Sequence, residues 1–200
     1  MKAFSGMERP RGTATLLIVL AAWGLGVVTA ARTGVYGLID PRYLATLIAA
    51  GIVVPVLVYA MSRPVRGYIE RLGLQGLTAF HIWRIAAALV FFWYGARGLL
   101  PQSFVLNAGI GDLIAGLLAL AVTLLPKTRG RYLVFHLFGF ADFVVAVGTG
   151  LTLFVQDDPL MAGIQTLPMA LIPFFGVGIS GASHLMAFDL LRRRTGMTRL

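Results

Sequence analysis

The sequence predicts an all-α integral membrane protein: a single polytopic domain, residues 1–200, forming a bundle of about six transmembrane helices with both termini cytoplasmic. Three observations predict it. The first is composition: 58% of the 200 residues are hydrophobic and 12% charged, about half the charged fraction of a typical soluble domain. That much apolar surface overfills a soluble core, so the surplus faces lipid. The second is length, because six apolar stretches reach the roughly 20 residues that a spanning helix needs. The third is charge. Lys2, Arg9, Arg11, Arg63, Arg66, Arg71, Lys127, Arg129, Arg131, Arg192, Arg193, Arg194 and Arg199 fall on one side of the alternating spans, and only Arg32, Arg42 and Arg97 on the other. By the positive-inside rule the first side is cytoplasmic.

The first span, 13–31, follows a basic leader and ends near Val28-Thr29-Ala30, which resembles a signal-peptidase site. It is read here as an uncleaved helix. Asp40-Pro41 then supplies an N-cap followed by a proline at the first helical position, opening a second span over 43–61. The third covers 75–98 and the fourth 104–125, with Pro101 expected to open the latter. The fifth runs over 132–155, and the connections are short enough for antiparallel neighbours. Asp158-Pro159 repeats the capping pattern. Residues 159–191 are too many for one crossing at about 1.5 Å per residue. A short interfacial turn or helix is therefore expected before a sixth span, 167–191, bent near Pro168 or Pro173. Gly176, Ser180, Ser183 and His184 form a small-residue stripe on that helix, suited to close packing.

The chain has no cysteine, which removes disulfides, thiolate metal sites and thiol redox chemistry. Its formal charge of +9 sits in short runs between apolar stretches, a pattern that suits anionic lipid headgroups and not nucleic acid. Lys2 and Lys127 are the only lysines and lie outside the spans, so no retinal Schiff base can form. Gly178-Ile179-Ser180-Gly181 resembles the GxSG motif of rhomboid proteases. It lies in the last helix, where that family carries its histidine, and the family's other motifs are missing.

Ionisable groups inside a span each cost about 2.5–3.5 kcal/mol at the helix centre on insertion scales. Six stand out: His81 and Arg84 in the third span, Asp112 in the fourth, His136 and Asp142 in the fifth, and His184 in the sixth. Counting turns puts the histidines and Arg84 two or three turns from the cytoplasmic surface, with both carboxylates deeper. On that count Asp142 is the expected partner of Arg84, and Asp112 lies deeper, so the guanidinium would have to reach further to meet it. Trp93 and Tyr94 read as interface anchors.

Three functions follow as expectations. In the first, an inner-membrane carrier for a small solute or for protons, or a subunit of one, uses Arg84, Asp112 and Asp142, with the histidines ending a polar path. In the second, His81, His136 and His184 hold a b-type haem or a divalent metal in a redox protein. In the third, a non-catalytic accessory or assembly subunit uses the buried charges only to fix helix register. The lipid bilayer is the expected partner, alone or within an oligomer or larger membrane complex. None of the three requires an enzyme.

Overall fold

The computed structural model describes residues 11–194. Lys2, Arg9 and Arg199, counted above among the cytoplasmic basic residues, lie outside the described residues, as does most of the basic leader. Within them the chain is helical and without strands. Six helices are long and apolar enough to cross a membrane: α1 (Ala14–Arg32), α2 (Arg42–Met61), α3 (Arg63–Gly95), α4 (Gln102–Leu124), α5 (Arg129–Val155) and α6 (Ile172–Arg193). Their alternation brings the α2–α3 turn, the α4–α5 turn and the end of α6 to one pole, called here the basic end.

Local chemistry sets the helix starts. The Asp40 carboxylate accepts from the Arg42 backbone N–H at 2.9 Å, with Pro41 opening the helix behind it. Ser62 and Thr128 cap their helices in the same way, accepting from the N–H groups of Val65 and Arg131. Asp158 also caps, but what it opens is the 3-10 turn Pro159–Gln165. Pro101 precedes its helix and does not occupy the first helical position. The sixth crossing begins at Ile172, because residues 167–171 are mostly turn. A π-helical stretch, Ile172–Gly176, then carries Pro173, whose missing N–H costs least where the helical ladder is already irregular.

The third helix is broken twice. At Gly73 the backbone takes φ 65°, ψ −178°, a conformation open to glycine and closed to residues with a Cβ. This turns an amphipathic piece rich in arginine, on the basic-end side, away from the apolar piece that follows. A 3-10 turn at His81–Trp83 then tightens the helix. In 3-10 geometry side chains three apart eclipse, so His81 and Arg84 stand in line. Leu74, Leu77, Thr78, His81, Arg84, Ala87, Ala88, Phe91 and Tyr94 make up the buried stripe.

Two apolar clusters bracket that polar stretch. Near the basic end Tyr59, Ile69, Leu74, Leu77, Tyr132, Met186 and Leu190 pack together. Toward the other pole Tyr36 stacks on Phe174 at 4.1 Å, and Phe91, Phe104, Met161 and Met169 complete a larger cluster. Tyr94 belongs to this second cluster: it is 2% exposed and its hydroxyl lies 2.8 Å from Thr166 Oγ1. It is therefore no interface anchor. Trp93 is the exposed member of the pair, with the Arg97 guanidinium 4.0 Å above its ring.

A buried charge triad and a three-histidine cluster

Arg84 stands at the centre of the site. Its Nε donates to Asp112 Oδ1 at 2.6 Å, its Nη2 donates to Asp142 Oδ2, and its Nη1 reaches the Gly139 carbonyl at 3.4 Å. The Arg84 and Asp142 side chains are 4% and 8% exposed. One guanidinium thus ties α3 to α4 and α5 at once. The expected partner, Asp142, is engaged, and Asp112 is engaged as well. Counting turns set Asp112 deeper than Arg84 for two reasons. The 3-10 turn at His81–Trp83 rises about 2.0 Å per residue and carries Arg84 further from the basic end than a uniform count allows, and the guanidinium fork meets two carboxylates along different edges.

Room for this arrangement comes from glycine. A Cβ at Gly111 would overlap the Asp142 carboxylate, and one at Gly139 would come within 2.6 Å of His184 Cε1. Both positions carry charge or imidazole where any other residue would carry a methyl. The sequence reading passed over Gly139, although His136, Gly139 and Asp142 recur at three-residue intervals on one helix. Thr78, His81 and Arg84 follow the same interval on α3, and Thr78 was missed too.

All three histidines are fully buried and come together from three helices. His136 Nδ1 lies 2.9 Å from His184 Nδ1, and its Nε2 is 3.2 Å from the Thr78 hydroxyl. His81 stacks on His184 with 4.1 Å between ring centres. The Ser183 hydroxyl donates to the Ser180 carbonyl at 2.8 Å, so its oxygen accepts from His81 Nε2 at 2.9 Å. One ring nitrogen from each histidine lies within 4.8 Å of one from each of the others. The three rings thus lie in direct contact with one another.

On its other side the charge triad meets a cavity of about 350 Å³. Arg84 and Asp112 supply its charged wall, Trp83 and Ser180 a polar edge, and Phe143 and Ala49 represent an otherwise apolar lining. Trp83 Nε1 donates to Ser180 Oγ at 3.3 Å, holding that edge in place.

A family model described as "Domain of unknown function (DUF8737)" matches residues 41–192. The chain belongs to that family. The match begins at the start of α2 and takes in every residue of the charge triad and the histidine cluster, leaving α1 outside. Comparisons with curated proteins and with solved structures gave no match.

Proposed function

We propose that this DUF8737 protein is a multi-pass carrier of the bacterial inner membrane, with both termini cytoplasmic, that exchanges a proton for a small lipophilic cation. The observation that carries the reading is a charge imbalance beside the cavity: two carboxylates, Asp112 in its wall and Asp142 behind it, share a single cation, Arg84. With both ionised the buried site holds one net negative charge, and a low-dielectric interior penalises that strongly. A proton on one carboxylate, or a cation beside it, relieves the penalty. Binding one therefore releases the other, which is what coupled exchange needs.

The cavity supports the solute class. Its volume falls within the range typical of small-molecule sites, and its lining is mainly aromatic and aliphatic apart from Arg84, Asp112, Thr46 and Ser180. A hydrophobic body would fill it while a positive centre approaches Asp112. The orientation rests on the Lys and Arg gathered at the basic end, by the positive-inside rule. Reporter fusions in the 125–128 turn and after α6 should both give cytoplasmic signals.

The test uses tetraphenylphosphonium as the probe. Purified protein should bind it saturably and release about one proton per cation, measured with a pH dye in weak buffer. Asp112→Asn should weaken binding at least tenfold and abolish the release. Equal retention by wild type and variant, with no proton released, would sink the carrier reading. The accessory-subunit reading would then stand, since a fully paired triad also suits a device that only fixes helix register.

A further inference from the structure

We propose that His81, His136 and His184 form a binding site for one divalent transition-metal ion of the zinc class, separate from the charge triad. Two buried imidazole nitrogens, His81 Nδ1 and His184 Nε2, have no hydrogen-bond partner among the described residues. Histidines placed for packing alone satisfy both ring nitrogens or leave one in water, because an unpartnered buried polar atom costs about 1–3 kcal/mol. Here both such atoms belong to one cluster in which one ring nitrogen of each histidine lies within 4.8 Å of those of the others, and His81 Nδ1 is the one a metal would engage.

The hydrogen bonds fix which nitrogen is free. Ser183 spends its own proton on the Ser180 carbonyl, so it can only accept from His81 Nε2–H. That leaves the His81 Nδ1 lone pair bare. Thr78 Oγ1 lies 3.2 Å from His136 Nε2, and in the tautomer with the proton on Nε2 it accepts from that nitrogen and frees His136 Nδ1. Metal-bound histidines characteristically donate their second nitrogen to such a partner, which sets tautomer and ring orientation. Thr78 and Ser183 stand where those partners would be.

The third ligand is His184. Its Nδ1 now faces His136 Nδ1 at 2.9 Å, a contact that requires one proton between the two nitrogens. A metal ion takes that place when His184 carries its proton on Nε2 instead, so no net proton is lost. Tetrahedral zinc with bonds of about 2.0–2.1 Å sets its ligands about 3.3 Å apart. Seating it asks the His136–His184 edge to open by a few tenths of an ångström. It asks the most distant nitrogen to close by about 1.5 Å, within reach of imidazole rotations. Imidazole ligands without thiolate favour a borderline divalent ion over copper(I) or a hard cation. Three ligands leave a fourth position open. His136 lies seven residues into α5, about 10 Å from the basic end.

The experiment uses full-length protein without a histidine tag, loaded with Co²⁺ alone. The expected result is one Co²⁺ retained per chain, with the visible bands of a four-coordinate ion and X-ray absorption fine structure showing imidazole scattering. His81→Ala or His184→Ala should cut affinity at least tenfold. Thr78→Val, which removes only the hydroxyl on His136, should weaken binding about 10–100-fold while the protein still runs as the folded species in size exclusion. Retention unchanged by these substitutions would overturn the proposal. So would fine structure of wild-type protein showing oxygen neighbours alone, since the ion would then lie at the carboxylates. Both outcomes are independent of tetraphenylphosphonium binding, so this site and the carrier reading fail separately.

Discussion

Helices α1 and α6 are both long and apolar enough to cross a membrane, yet 6% of α1's most apolar window is buried in the fold and 67% of α6's is. In α1 only Val27 is classed as buried, while Ile18 and Leu25 are about two-thirds exposed. Helix α6 packs against α2, α3 and α5 and buries Ser180, Ser183 and His184. The more apolar helix is the outer one, the reverse of a soluble protein. Lipid solvates leucine as well as another helix does, so apolarity gives no reason to move inward. Polar groups have such a reason, because only other protein can satisfy them there. Small residues let them in: a Cβ on Gly181 would lie 2.6 Å from the Phe143 ring. The family match, which starts at α2, follows the same division.

This contrast sets the order of expected mutational effects. Arg84→Met should be the most damaging, since it leaves Asp112 and Asp142 buried without a cation. About 3–5 kcal/mol of stability should be lost, read as a lower unfolding midpoint in detergent. Adding Asp112→Leu and Asp142→Leu should recover much of that loss, and no recovery would mean the three charges do not act as a unit. Gly139→Ala should come next, because its Cβ pushes on His184 Cε1; overpacking of this kind costs about 1–3 kcal/mol. An unchanged midpoint would mean that the histidine ring has room to retreat. Ile18→Ala on the exposed face of α1 should stay within about 0.5 kcal/mol of wild type in detergent. A large loss there would erase the distinction between an outer α1 and an inner α6.

Much of the fold was legible because a bilayer asks for runs of about 20 apolar residues, and those runs survive in the one-dimensional pattern. The residues of the site were legible for the complementary reason: ionisable groups are conspicuous inside such runs. Their pairing was less so. Depth along a helix was counted with a uniform rise, and the 3-10 turn at His81–Trp83 departs from it. No composition signal marks that irregularity. Tyr94 shows a second limit. A tyrosine near a helix end reads as an anchor until a loop from elsewhere in the chain, here Thr166, covers it. Gly111 and Gly139 matter only through what other helices bring against them, so no local pattern could announce them.

The apolar cluster beyond Arg84 has an electrical consequence. Tyr36, Phe91, Phe104, Met161, Met169 and Phe174 pack on the side away from the basic end, four of them against the cavity, and few polar groups among them could polarise in a field. A transmembrane voltage falls mainly across such low-dielectric material, and one elementary charge crossing the full drop changes energy by about 2.3 kcal/mol per 100 mV. The cluster on the basic-end side is equally apolar, and Asp142 lies midway along α5, Arg129–Val155, so an ion moving between the charge triad and either face would meet about half of that drop.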